Sequence, residues 1–371
     1  MSQQLGDSWA QLAAAAAEPN AFAERWFVEP SLRHLGLPPD LQMLEVWNDF
    51  EEKSGLVGLL PVHVPVGYGR IPVRHVQNWT HFHCFLGTPL VRAGHEKTFW
   101  MGILRYLDEQ RWAAGFLHLK ALVEDGPVHR GLIAAASQLG RPCHIVHRSE
   151  RALLQSTLSP QDYYERTVRK KKRKELKRLS SRLGELGRIE ARTLGAAEEL
   201  EPWCTAFLEL EKSGWKGEAG SALGCSASTE RFFRDTVIGA FRAGRLDFLR
   251  LDLDRRPLAM LINFITPPGS FSFKIAINED YARFSPGVLI QLENLAVLAR
   301  EELVWMDSCA AENHPMINSL WAERRRLVRV TVPLAGPVRR ATFHVCRALE
   351  TISALIRTPH HITAAVGEDH D

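Results

Sequence analysis

The sequence predicts an α/β protein of mixed sheets, built as two related domains, each a mixed antiparallel and parallel sheet flanked by helices. Three observations predict it. The second half of the 371 residues reads strand, helix, helix, three strands, helix, strand, helix, strand. A strand–helix–strand crossover after an antiparallel meander demands a parallel pair in the same sheet. The first half repeats this order with its opening helices trimmed. The length suits two domains at roughly 100–200 residues each. A content of 45% hydrophobic and 24% charged residues is ordinary globular usage. The expected division is 1–158, 159–334, and a C-terminal amphipathic helix and tail at 335–371, with the joint near 156–160.

In the first half, 43–47 and 56–62 alternate as paired strands around Glu51-Glu52-Lys53-Ser54-Gly55, and 71–79 reads as a third strand. Gly87-Thr88-Pro89 precedes a helix over 96–110. A strand at 116–122, a helix at 127–140 and a strand at 143–147 follow.

The second half opens on one long basic helix, 161–186, ended by Gly184 and Gly187. A short strand follows at 188–194. The helix 196–213 has Leu200, Trp203, Phe207, Leu208 and Leu210 on its apolar side. A small-residue loop fills 214–224. The next helix, 228–243, has Ser228 as N-cap and Gly244 as its stop. Strands at 246–253, 258–265 and 270–277 form the meander, turned by Asp254-Arg255-Arg256-Pro257 and Pro267-Pro268-Gly269. After a loop at 278–284 come a helix at 286–303, a strand at 304–309, a helix at 313–323 and a strand at 327–332. An amphipathic helix over 338–356 closes the chain.

Charge narrows the classes. Lys and Arg number 46 against 43 Asp and Glu, a net charge of +3, too little for a general nucleic-acid coat. Residues 163–188 nonetheless hold 11 Lys and Arg against 3 acids, leaving the other 345 residues at −5. No two of the six cysteines lie within four residues of each other, so no zinc-ribbon or redox spacing exists. The fifteen histidines are dispersed, His81, His83 and the pair His360-His361 being the close ones, and no metal site is expected. Residues 1–10 lack a basic residue, and 13–17 is an apolar run without a basic flank, which is not a secretory signal. No run reaches the 18 or so apolar residues of a membrane span. The expected location is cytoplasmic, with peripheral membrane contact left open.

Four stretches carry candidate chemistry. Ser285-Pro286-Gly287 ahead of an apolar helix combines an N-cap, a proline suited to the first turn and a glycine that admits close approach. The amides of Gly287, Val288 and Leu289 would point out of the helix end, an anion site suited to a pyrophosphate. Glu211 to Gly217, ending in Gly220-Ser221-Ala222, sets Trp215 and Lys216 among glycines, a composition suited to a loop over a cleft. Lys274 lies on an otherwise apolar strand and must reach a sheet edge, a ligand or an acid such as Asp307; Asp280, Tyr281 and Arg283 follow it. The basic run 166–182 covers every side of its helix and could meet a polyanion. Walker, G-x-S-x-G, H-E-x-x-H and G-x-G-x-x-G motifs are absent.

Together, the basic run 170–184, the 211–217 loop, Lys274, Asp280-Tyr281, Ser285 to Gly287 and Asp307 resemble the GNAT acyltransferase superfamily. More narrowly, they resemble its CelD-like (cellulose-biosynthesis-associated) branch, related to the FemAB-like aminoacyl transferases. Gly214 is an insertion relative to the family's tryptophan loop. The likeness covers about 160–332, with the first half as a degenerate N-terminal GNAT-like domain. It implies tandem GNAT-like domains and an N-acyltransferase that uses acetyl-CoA or a longer acyl-CoA, or an acyl carrier protein. The acceptor would be an amine on a sugar, lipid precursor or peptide, attacked directly in a ternary complex and without a metal. Under that resemblance Glu211, Asp307 and His314 are base candidates, and Tyr281 and Ser308 acid candidates. Ser285, Pro286, Gly287, Val288, Leu289, Lys274 and Arg283 would hold the donor. Trp215, Lys216, Gly217 and Asp280 would hold the acceptor. An aminoacyl-tRNA-dependent transferase and a non-catalytic binding protein are the competing readings. The lack of aromatic interleaving in the basic run argues against sequence-specific nucleic-acid reading.

Overall fold

The computed structural model describes residues 3–50 and 53–357. Glu51 and Glu52 of the expected turn, and the expected tail with His360 and His361, lie outside the described residues. Among the described residues, twelve strands form one sheet. They are β1 (Gln42–Phe50), β2 (Lys53–His63), β3 (Val76–Asn78), β4 (Leu90–Val91), β5 (Phe116–Val123), β6 (His144–Leu154), β7 (Ile189–Thr193), β8 (Leu246–Leu253), β9 (Arg256–Thr266), β10 (Gly269–Ile277), β11 (Trp305–Asp307) and β12 (Glu323–Pro333). Their order is β1-β2-β3-β5-β12-β6-β11-β10-β9-β8-β7, with β4 beside β2.

The expected meander is present as β8, β9 and β10, antiparallel, with Leu251 opposite Ala259 and Ile275 opposite Leu261. The crossover then sets β11 parallel to β10. The first half repeats this with β1 and β2 antiparallel and β3 parallel to β5. The mixed α/β class therefore holds in both halves.

The last strands are exchanged. β12, at the end of the second half, pairs with β5 of the first. β6, at the end of the first half, pairs with β11 of the second. The two exchanged strands then pair antiparallel with each other, which joins the halves into one sheet. A cut at residue 158 would leave each half without the strand that closes its sheet.

A second interleaving lies at the N-terminus, in two helices that the sequence pattern leaves unread, Gln3–Ala14 and Arg25–His34. Phe22 and Phe27 are buried among Phe207, Phe232, Phe264 and Phe273 of the second half. Between them lies the turn Ala21–Ala23, capped by Asn20, whose side chain accepts from the Phe22 amide.

Several boundaries differ for a physical reason. The basic helix is two helices, Pro160–Thr167 and Lys170–Gly184, because Tyr163 and Val168 bury themselves against Leu295 and Trp321 and the chain extends at Val168. The helix expected over 286–303 stops at Glu293 and continues as 3-10 turns from Asn294. Asn294 is buried and accepts from Asn263 (2.8 Å) while donating to Gln291 (3.1 Å). Ser226, not Ser228, caps the helix Ala227–Arg242 by accepting from the Thr229 amide. The helix expected over 313–323 is the single turn Pro315–Asn318, and β12 begins earlier than expected. The C-terminal helix runs from Pro337 to Arg357.

Candidate active site

β10 and β11 pair for only three residues, ending at Phe271 opposite Asp307. Beyond that point the chains part. A bulge at Phe273 bends β10, and Cys309 turns the other chain with a left-handed φ of 53°. The opening is a cleft of about 240 Å³ walled by Ser272 to Ile275 on one side and Ser308 to Ala311 on the other, with Phe85, Gln291 and His314 at its margins. A second cleft of about 250 Å³ adjoins it through the shared residues Lys216, Ile275, His314 and Met316. Glu211, Trp215, Gly287 and Glu279 line that second part.

Lys274 lies in the first cleft. Its ammonium stands 5.5–5.7 Å from the ring centres of Phe82, Phe85 and Phe273. Such contacts attract a cation. Among the described residues it has no carboxylate partner, so the expected pairing with Asp307 does not form. Burial pulls its pKa down to about 8; Glu211 opposes this and Lys216 adds to it. Phe82 and Phe85 come from the first half, in the stretch His81-Phe82-His83-Cys84-Phe85. The neighbouring His83 stacks on Phe232 at 5.3 Å. Burial and the two lysines push it down to about 3, so it is a neutral wall residue.

Glu211 is buried, and both its oxygens are engaged. One accepts from Lys216 (2.9 Å) and the other from the Leu223 amide (2.9 Å). Lys216 also donates to the Ile275 carbonyl at the free edge of β10 (3.3 Å). The carboxylate thus pins the 214–224 loop across the cleft. Gly217 permits this, since a Cβ there would fall 1.7 Å from the Lys212 carbonyl oxygen. The Trp215 amide donates to Glu279 (2.9 Å), while its indole is 60% exposed at the mouth.

The helix Pro286–Glu293 meets the cleft at Gly287, where a Cβ would lie 3.3 Å from both Ile277 and Met316. The expected cap is different. Ser285 is left-handed (φ 55°), and its side chain makes no capping bond. Its carbonyl accepts from both the Val288 and Leu289 amides (2.9 and 3.1 Å), so these two do not point out as expected. Gly287 is the first-turn amide left at the helix tip, a narrower anion site than the sequence suggests.

Asp307 is fully buried and is not placed to act as a base. Arg151 of β6 holds it at 2.6 and 2.7 Å, Arg325 of β12 at 3.0 Å, and the Cys309 amide donates to it at 2.9 Å. Burial pushes its carboxyl up, but the two guanidiniums and the amide outweigh that and hold it below the ordinary value. Its place is at the junction of the exchanged strands. Arg151 also donates to the Phe85 carbonyl (2.7 Å), behind the Lys274 cage.

His314 lines both parts of the cleft and caps the turn Pro315–Asn318, its Nδ1 accepting from the Ile317 amide at 3.5 Å. Tyr281, Asp280 and Arg283 fall outside the cleft lining. Tyr281 packs on Phe284 within an apolar cluster, Arg283 lies over the Phe284 ring at 4.8 Å, and Asp280 is exposed. Leu289 belongs to that cluster and Val288 packs against the one around Leu295, Met306 and Trp321, so neither lines the cleft. Missed by sequence reasoning are Phe82, Phe85, Arg151 and Arg325. Arg151 lies 156 residues from Asp307 and the two phenylalanines still farther from Lys274, and Arg325, though only 18 residues from Asp307, reaches it from another strand, so none leaves a local signal.

The matching slot of the first half is closed. β3 and β5 pair at Val76 with Leu117 and at Gln77 with His118. There the side chain of Asn78 accepts from the Lys120 amide (2.8 Å) and donates to its carbonyl (3.1 Å). The Gly87 amide donates to the Ala121 carbonyl (2.9 Å), and a Cβ on Gly87 would sit 2.1 Å from the Lys120 oxygen. Among the described residues no group of three or more His, Cys, Asp or Glu could hold a metal, and no helix is long and apolar enough to cross a membrane.

The parted parallel strands and the helix N-terminus at their mouth lie within the stretch that sequence comparison matches. Residues 170–314, within the second half, match the acetyltransferase (GNAT) domain family. No curated protein matches the chain. Among solved structures, FemX superposes with a TM-score of 0.58 at 9% identity, covering 93% of this chain and 98% of that one. A conserved protein of unknown function from Bacteroides thetaiotaomicron gives 0.55 at 11% identity, covering 88% and 96%. The C-terminal domain of a putative lysylphosphatidylglycerol synthetase from Agrobacterium fabrum gives 0.53 at 10% identity, covering 98% and 99%. These likenesses are of fold, and they extend over nearly the whole chain.

Proposed function

We propose that the protein is an N-acyltransferase that moves an acyl group from acyl-CoA or an acyl carrier to an amine acceptor in the cleft between β10 and residues 308–311. The observation that carries this reading is the open slot with an unpaired ammonium, Lys274, on its wall, set against a closed slot in the first half. The slot fits an extended donor arm, and Gly287 leaves room for the arm at the helix tip. A bound donor supplies an activated carbonyl. The Lys274 ammonium stabilises the negative charge that develops on the carbonyl oxygen as the amine attacks. His314, with Nδ1 accepting from Ile317, carries its hydrogen on Nε2 when neutral and offers it as a hydrogen bond to the leaving group, which departs as the thiolate. Glu211 and Lys216 hold the loop that covers the acceptor side. The acceptor attacks as the free amine, its proton passing to solvent at the open mouth.

The expected pH profile rises as the acceptor deprotonates and falls through about pH 8 as Lys274 loses its proton. Lys274→Met should lower kcat by about 10²–10³-fold, the scale of one lost oxyanion donor, and abolish the falling limb. A falling limb that persists in Lys274→Met would refute the assignment. Thermal upshift with acetyl-CoA or longer acyl-CoAs tests the donor, since a ligand that binds the folded state raises apparent stability.

A second donor, an aminoacyl ester on tRNA, is favoured by one observation. Val288 and Leu289 amides are not free for a pyrophosphate, while Lys170, Arg173, Lys174 and Lys177 line a groove of about 570 Å³ beside the donor helix. FemX and the lysylphosphatidylglycerol synthetase domain share the fold. Binding of aminoacyl-tRNA that weakens steeply with salt, together with no upshift by any acyl-CoA, would select this donor.

A further inference from the structure

We infer that the outer face of the C-terminal helix Pro337–Arg357 is a self-association surface that pairs this chain antiparallel with a second copy. The helix has two apolar faces. The inner one is occupied: Phe343 and Cys346 are each 1% exposed against the first half. Arg339 donates to the Asp108 and Gln110 carbonyls, and the Tyr68 hydroxyl meets Glu350. The helix is therefore a fixed rail.

On the outer face, Val338, Val345 and Ile352 repeat every seven residues, and Ala341 and Ala348 fill the intervening positions. Val338 is 76%, Val345 57% and Ile352 51% exposed, with Leu349 beside them at 41%. A seven-residue repeat of apolar residues along one exposed face is the pattern by which helices pair along a seam.

The spacing suits an isologous, antiparallel pair centred on Val345. Val345 would then meet the partner's Val345, Val338 the partner's Ile352, and the small Ala341 the partner's large Leu349. Each large residue faces a smaller or equal one, so two such helices approach closely. The 21-residue helix spans about 32 Å. A contact of that length lies at the small end of specific interfaces, which fits a weak, concentration-dependent association. A lipid surface suits this face less well. Its stripe has no aromatic anchor, and Arg339 and Arg347 are bonded to protein groups, Arg347 to Glu350.

Sedimentation equilibrium of the full chain from about 1 to 200 µM tests this. The expected result is a mass that doubles from the 41.8 kDa monomer over this range, and at least tenfold weaker association for Val345→Glu, which sets two carboxylates face to face. Val345→Cys should form a disulfide-linked dimer on mild oxidation that the wild type and Arg340→Cys do not. Because Val345 is exposed, these variants should keep the wild-type melting temperature. The inference is overturned by a monomeric wild type at 200 µM, or by a dimer indifferent to Val345→Glu. It is equally overturned by stripe-dependent binding to phosphatidylglycerol vesicles without dimerisation.

Discussion

Lys274 shows how a site residue can cost stability. Its pKa is depressed, chiefly by burial, so folding disfavours the proton that the unfolded chain would hold. The folded state therefore gains stability as pH rises from about 8 toward the ordinary lysine value, where the unfolded chain begins to lose its proton too. Lys274→Met should raise the midpoint of chemical unfolding at pH 7, and the gain should shrink across that window. A variant no more stable than wild type at pH 7 would contradict the burial assigned to the ammonium. Gly217 acts through the backbone. Gly217→Ala must move the loop off the Lys212 carbonyl, so unfolding free energy should fall by about 1–3 kcal/mol, as for other overpacked sites. Acceptor KM should change with it, because that loop covers the acceptor side and carries Lys216. In the sequence, Lys274 is conspicuous as a cation in an apolar strand, and Glu211 to Gly217 as glycines around Trp215. The rings that cage the lysine are not, because a phenylalanine 190 residues away has no spacing relation to it.

Elements explain where the sequence reading held and where it failed. The meander was legible because the two-residue alternation of 246–277 decides which side chains face the core. The helix after Ser285 was legible in its start and not in its end, since Asn294 looks like any polar helix residue until Asn263 and Gln291 meet it. Asp307 is the clearest case. An acid in an apolar strand invites a catalytic role, and the structure gives it two arginines from two other strands. Removing one partner of a buried charge group typically costs about 3–5 kcal/mol, so Asp307→Ala should lower unfolding free energy by that amount. The sign with pH follows from its depressed pKa. Its contribution is present above the ordinary carboxyl value, about 4, and is lost as pH falls through the lower folded value. Asp307→Asn should therefore flatten the wild-type loss of stability below about pH 4, as followed by acid titration of the fluorescence midpoint. An acid limb unchanged in the variant would mean the ion pairs contribute nothing.

On the scale of the whole molecule, strand exchange and the shared aromatic core make the halves dependent on each other. The first half supplies β6, Phe22, Phe27 and the Lys274 cage to the second; the second supplies β12 to the first. Residues 1–158 or 159–371 expressed alone should give aggregated or partly folded protein, each with an unpaired sheet edge, a known route to aggregation. Co-expression of the two should recover a single complex. A monomeric, cooperatively unfolding 159–371 would show that the exchange is dispensable.

Local periodicity and capping chemistry are written along the chain, so the sequence by itself determined the mixed α/β class, the repeated strand order and the start of the helix at Pro286. Which strand closes which sheet was decided only by tertiary structure. β6, with polar residues through its middle, carries no strict apolar alternation, so local pattern does not say whether it or β12 pairs with β5 or with β11. The choice is made by contacts that span the chain: Arg151 and Arg325 converging on Asp307, Phe85 received by Arg151, and Asn78 closing one slot while the other stays open around Lys274.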